Sequence, residues 1–240
     1  MRTRHRVVTG LVLAVLGVSA CAADPRARPD SPAASRHVPS DRLRDGLLTQ
    51  DRLPRGFRLN TAEADSTTTG APHTPSAVPI AAMPCSELGV DSFMTAHAPP
   101  AEDVAVGVER TPVGDGDDDS GWFGQEALDR YQPGQAAAVM AAIREAARRC
   151  ASFTTTVVDG TPLRQTVSVT PAGVPADDGL LLHLTSTFPD DPQPFIDETA
   201  FVRIGDVIVL VQRIADRKPS SDSEAVLAAA VTTYRSATGR

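Results

Sequence analysis

The stretch Thr199-Ala200-Phe201-Val202-Arg203-Ile204-Gly205-Asp206-Val207-Ile208-Val209-Leu210-Val211-Gln212 decides the fold. Two runs of β-branched and large apolar residues flank a two-residue turn with glycine in it, which is a strong hairpin signal. Upstream, Gly179 to Phe188 places Leu180, Leu182, Leu184 and Phe188 on one side of a strand, and Gln165, Val167 and Val169 alternate with Thr166, Ser168 and Thr170. Together these segments read as an antiparallel meander.

A helix from about Gly134 to Ala151 precedes the meander. Ala136, Val139, Met140, Ile143, Ala147 and Cys150 recur at steps of three and four and form one apolar stripe. Pro133 suits its first turn, and Arg148 and Arg149 suit the negative end of its dipole. After the meander, Ser221-Asp222-Ser223-Glu224 reads as a capping box opening a helix that buries Leu227, Ala230, Val231 and Tyr234. Before it, Val104, Val106 and Val108 mark one strand and Trp122 to Tyr131 the next. Earlier still, Gly46-Leu47-Leu48 reads as a helical turn, Leu53-Pro54-Arg55-Gly56-Phe57 as a stop and strand start, and 60–82 as a long mobile loop. Cys85 to Met94 is expected as a short helix or ordered turn. This order predicts an α+β fold, a single domain with an antiparallel β-sheet and helices packed mainly on one face.

The N-terminus has a different character. Arg2, Arg4 and Arg6 precede an apolar run from Val7 to Ala20, a signal-peptide layout too short to span a bilayer of ~30 Å. Residues 21–42, with four prolines and no apolar period, read as a disordered linker, and 43–240 as the domain. One lysine, Lys218, against 22 arginines is the usage of a GC-rich, actinobacterial genome. Removing residues 1–20 takes three arginines from a chain of net charge −7 and leaves −10. A mature chain this acidic is a poor nucleic-acid binder and is not drawn to anionic lipid.

The run Val18-Ser19-Ala20-Cys21 resembles the lipobox of bacterial lipoproteins, in which the cysteine receives a diacylglycerol before the signal is cut. That resemblance implies lipidation of Cys21 and a place on the extracytoplasmic face of the cell membrane, held by lipid. Cys85 and Cys150 then remain as an even pair in an exported chain. A disulfide between them is the expected state, with two buried free thiols the other arrangement. The bridge would close a 66-residue loop, worth roughly 4 kcal/mol in the chain-entropy model.

The lipobox, Leu53-Pro54-x-Gly56, the isolated Cys85, the helix ending at Cys150, the hairpin through Gly205 and the closing amphipathic helix form a wider set. The set resembles the extracellular sensor domain of PknH-type serine/threonine kinases and the lipoproteins that share it. The resemblance covers about residues 43–240. It implies two disulfides and a polar-lined cleft over an antiparallel sheet; this chain has cysteines for one bridge only, so part of that framework is absent.

Candidate sites are few. Asp115, Asp117, Asp119 and Glu126 fall at the first, third, fifth and twelfth places of a calcium-loop count, but Ser120 stands where the turn needs glycine, so a solvated acidic loop is expected. Trp122 is expected as a core anchor beside Phe123, and His73 and His97 in loops. No nucleophile elbow, phosphate-cradling glycine loop or zinc spacing is present, and neither catalysis nor a cofactor nor a metal is expected. The remaining expectation is a binding module for a cell-envelope ligand or a membrane protein. Its groove would be lined by His183, Thr185 and Thr187 with Arg203 on the neighbouring strand; the competing account is that these residues form only a solvated sheet face. The alternatives are an envelope-acting hydrolase and a lipid-carrier lipoprotein.

Overall fold

The structure is a computed structural model, and it describes residues 40–60, 76–89, 93–112, 121–157, 159–217 and 221–239. The signal peptide, Cys21, most of the linker, His73, Asp115, Asp117, Asp119 and Ser120 lie outside the described residues. All described residues belong to one compact unit, Ser35–Arg240.

In chain order the elements are α1 (Ser40–Arg44), β1 (Arg58–Asn60), two 3-10 turns (Ile80–Ala82, Cys85–Glu87), α2 (Phe93–His97), β2 (Glu102–Arg110) and β3 (Trp122–Arg130). Then come α3 (Gln135–Arg149), β4 (Ser152–Thr156), β5 (Pro162–Thr170), β6 (Asp178–Phe188), β7 (Asp191–Ile204), β8 (Val207–Asp216) and α4 (Ser221–Thr238). The eight strands make one sheet in the order β1-β2-β3-β8-β7-β6-β5-β4, and every pairing is antiparallel. The α+β antiparallel fold is therefore as expected.

The β7–β8 hairpin turns at Gly205-Asp206, with Gly205 at φ 63, and pairs Ile204 with Val207 and Val202 with Val209. Its position in the sheet explains its composition. Ala200, Val202, Ile204, Val207, Val209 and Val211 join a core with α1 and α4. Phe201, Ile208 and Leu210 join a second core on the other face, with α3 and the disulfide segment. Helices thus cover both faces of the centre, where one face was expected to take most of them. Unbroken apolar runs are what a strand buried on both sides requires.

The stripe of α3 is buried at all six expected positions. Pro133 lies outside the helix, because Gly134 adopts φ 81 and takes the N-cap. The segment 76–89, whose first part was expected as mobile loop, packs instead: Ile80, Met83 and Leu88 are buried against α3. Cys85 is bonded to Cys150 (Cα–Cα 5.4 Å), and Arg149 adds hydrogen bonds to the carbonyls of Ala81 (3.1 Å) and Met83. The helical turn expected at Gly46–Leu48 falls earlier, as α1, and Gly46 and Leu47 close the turn after it.

Candidate functional site

α4 covers only the middle of its face of the sheet, and β4, β5 and β6 extend beyond it. The register sets out what they present there. One row runs Arg213, Glu198, His183, Ser168; the next Ile196, Thr185, Thr166, Ser152; the third Thr187, Arg164, Thr154. On β4 and β5 these side chains are exposed, and on β6 His183, Thr185 and Thr187 are half-buried. The strands can display this polar face because their alternate residues, among them Phe153, Val167, Leu180, Leu182 and Leu184, are spent on the core with α3.

The first row carries charge from the interior to the open face. Trp122 Nε1 donates to Ser223 Oγ (3.1 Å), and Ser223 Oγ donates to Glu198 Oε2 (3.1 Å). Arg213 Nη1 donates to the same oxygen (3.3 Å), and His183 Nδ1 lies 3.6 Å from Glu198 Oε1. Glu198 and Arg213 are almost fully buried, whereas 21% of the His183 side chain is exposed. A buried carboxylate is stable only with such partners. Ser223 and His183 reach one carboxylate from different oxygens, so the histidine does not act on the serine hydroxyl as nucleophilic activation requires. The row places His183 beside the buried Glu198 carboxylate, at the margin of the open face.

At the far corner of the same face, Thr154, Pro162, Arg164, Thr187, Phe188 and Pro189 enclose an open groove of about 360 Å³.

Two further carboxyl groups are buried under helices or turns. Glu126 is fully buried in β3; its Oε2 accepts the Leu48 N–H (2.7 Å), while no hydrogen bond from a described residue reaches Oε1. Burial pushes its pKa up to about 8, against the amide's opposing effect. This placement removes Glu126 from the calcium count, because the twelfth position points into the core. Asp129, on the opposite face, is raised to about 7 by burial and then by the charge of Asp103. Among the described residues no cluster of acidic, histidine or cysteine side chains could hold a metal ion.

Of the expected groove residues, His183, Thr185 and Thr187 share the open face, but Arg203 does not join them. It pairs with Asp178, five places along β7 from the partner of His183, which is roughly 17 Å at strand spacing. An odd offset also puts it on the other face, where it bonds the Gly205 carbonyl (3.2 Å) and Asp177 (3.4 Å). His97 is not in a loop: it ends α2, buried, with its ring nitrogens 2.7 Å from the Val78 carbonyl and 2.5 Å from Glu87. Trp122 is the expected core anchor, fully buried edge-on to Phe57 (5.7 Å), while Phe123 is exposed. Sequence reasoning missed Glu198 and Arg164. The alternation of β5 was visible, but only its apolar half was put to use.

No protein-family model matches the chain, and no curated protein does. Among solved structures it is similar to the extracellular domain of PknH from Mycobacterium tuberculosis. The identity is 15%, the match covers 86% of this chain and 100% of that one, and the TM-score is 0.49.

Proposed function

We propose that the protein is a lipid-anchored, extracytoplasmic binding domain that captures a cell-envelope ligand or a membrane partner without transforming it. The observation that carries this reading is the polar face of β4–β6 that no described helix covers, which lies beside α4 and has His183 at its margin. Burial elsewhere in this sheet is thorough, so the eight hydroxyl, imidazole and guanidinium side chains left in rows on β4–β6 are a recognition surface. Hydroxyls both donate and accept, and the imidazole and guanidinium add N–H donors, which together favour anionic or hydroxyl-bearing ligands. The Cys85–Cys150 bridge supports an oxidising, exported setting, and the lipobox supports attachment through Cys21.

Thermal-shift screening of the protein against envelope fragments tests the binding. A ligand at a hundred times its Kd stabilises by about 2.7 kcal/mol, a rise of roughly 5–10 °C for a domain this size. A hit should weaken in the His183→Ala, Thr185→Ala double variant; unchanged affinity removes this face as the site, and turnover of a fragment would support the hydrolase. Detergent phase partition of wild type and Cys21→Ser in an actinobacterial host tests the anchor. Wild type should enter the detergent phase and the variant should not; two aqueous proteins would end the lipoprotein reading.

A further inference from the structure

We infer that the corner groove of the open face binds a sugar unit bearing an anionic substituent, carboxylate or phosphate, through Arg164 and Phe188. This rests on the binding reading above and names its ligand class. The groove, about 360 Å³, lies near the lower end of the range for small-molecule sites. Its lining combines three kinds of chemistry. Arg164 supplies a planar fork of donors suited to carboxylate or phosphate, and no hydrogen bond or ion pair to another described residue occupies it. Thr154 and Thr187 flank it in register and offer hydroxyls that exchange hydrogen bonds with sugar hydroxyls. Phe188 supplies an aromatic wall, whose electron-rich face attracts the polarised C–H edge of a pyranose ring.

That wall is held in place before any ligand arrives. Phe188 meets Phe195 edge-to-face (centroids 6.2 Å), and the guanidinium of Arg217 lies 4.4 Å from the Phe195 centroid. Arg217 is in turn fixed by both oxygens of Asp191, at 3.2 and 2.8 Å. Asp191 is thereby neutralised next to the groove, and Pro162 and Pro189 stiffen its rim. None of the six lining residues is acidic, although the chain as a whole carries −7. A cationic donor set in an acidic protein selects by charge, the aromatic wall by ring shape. A bare anion would satisfy only the first, so the sugar is the part that Phe188 requires.

Saturation-transfer NMR on the full-length protein in detergent micelles tests this with four probes: glucuronate, glucose 6-phosphate, glucose and inorganic phosphate. Glucuronate, glucose 6-phosphate or both should bind with Kd at least tenfold below that of glucose, and which of the two binds identifies the anionic group. Inorganic phosphate at equal concentration should not displace them. Arg164→Gln should weaken the charged sugars tenfold or more and leave glucose unchanged, with Arg164→Lys between. Phe188→Ala should weaken all three sugars, and Arg55→Gln, an exposed arginine just before β1 at the opposite edge of the sheet, should change nothing. The inference is overturned if neither charged sugar saturates, if inorganic phosphate displaces them, or if Arg164→Gln leaves their affinity intact. Arg164 is exposed, so its variants fold. Fragment hits lost in the His183→Ala, Thr185→Ala variant but kept in Arg164→Gln would sink this groove and leave the wider binding reading standing.

Discussion

Replacing Glu126 by Gln should flatten the dependence of stability on pH. The carboxyl is fully buried in β3, and its pKa stands at about 8 against an ordinary 4.5. The folded state therefore keeps a proton that the unfolded chain releases above pH 4.5. Stability is unaffected by this group below that value, falls as pH rises, and levels off above about 8. At 1.36 kcal/mol per unit, the shift is worth about 5 kcal/mol in full, and roughly 3–4 kcal/mol of it develops between pH 5 and pH 8. Gln keeps an oxygen for the Leu48 N–H but has nothing to titrate. Its extra N–H, set where no hydrogen bond from a described residue reaches Oε1, adds a constant cost of about 1–3 kcal/mol. The difference in slope is thus the quantity to measure. Urea unfolding followed by fluorescence reports it directly, because Trp122 is the single tryptophan and is fully buried. Wild type should lose more than about 1 M in midpoint between pH 5 and 8 relative to the variant. Asp129, also raised, titrates in both proteins and cancels in the comparison. Parallel curves for the two proteins would refute the claim that Glu126 is protonated in the fold.

Three further outcomes are expected. Cys85→Ser, Cys150→Ser should cost roughly 4 kcal/mol in the chain-entropy model, read as a lower denaturant midpoint; the wild-type mass should be two hydrogens below that of the reduced form, and alkylation of both thiols without reductant would contradict the bridge. Gly124→Ala should destabilise by about 3 kcal/mol or more in urea, because an added Cβ would lie 2.0 Å from the Gln212 backbone oxygen and 2.7 Å from the Trp122 ring, forcing β3 from β8. An unchanged midpoint would mean the strands can separate at little cost. Arg144→Ala should cost only about 1 kcal/mol at pH 7, since the Arg144–Asp178 pair is about a third exposed. The Arg144 hydrogen bond lowers the pKa of Asp178, so this contribution is present above the usual carboxylate range and fades as pH falls below about 4. A cost that grows in acid would reverse the assignment.

Local pattern reached a long way in this chain. The period of three and four in Gln135–Arg149 and the Gly205-Asp206 turn are written in neighbouring residues, so the elements they specify could be read directly. β4 could not. Ser152–Thr156 has no apolar alternation, since it lies at the sheet edge with Ser152, Thr154 and Thr156 in solvent, and only pairing with β5 makes it a strand. The segment 76–82 was misread for a related reason: its Pro- and Ala-rich composition looks like loop, and packing of Ile80 against α3 beside the disulfide orders it from a distance.

The sequence by itself determined the element types of the meander and the two long helices, the identity of the cysteine pair, and the acidic, aromatic-poor character of the chain. These follow from composition and from periods of two and 3.6, which are properties of adjacent residues. Only the tertiary structure decided which face each strand residue occupies relative to its neighbours. A register shift of one residue exchanges faces, and register is set by partners far away in the chain. That is why Arg203 separates from His183, why Glu198 meets Ser223 and Arg213, and why Arg164 and Phe188, 24 residues apart, come to line one groove.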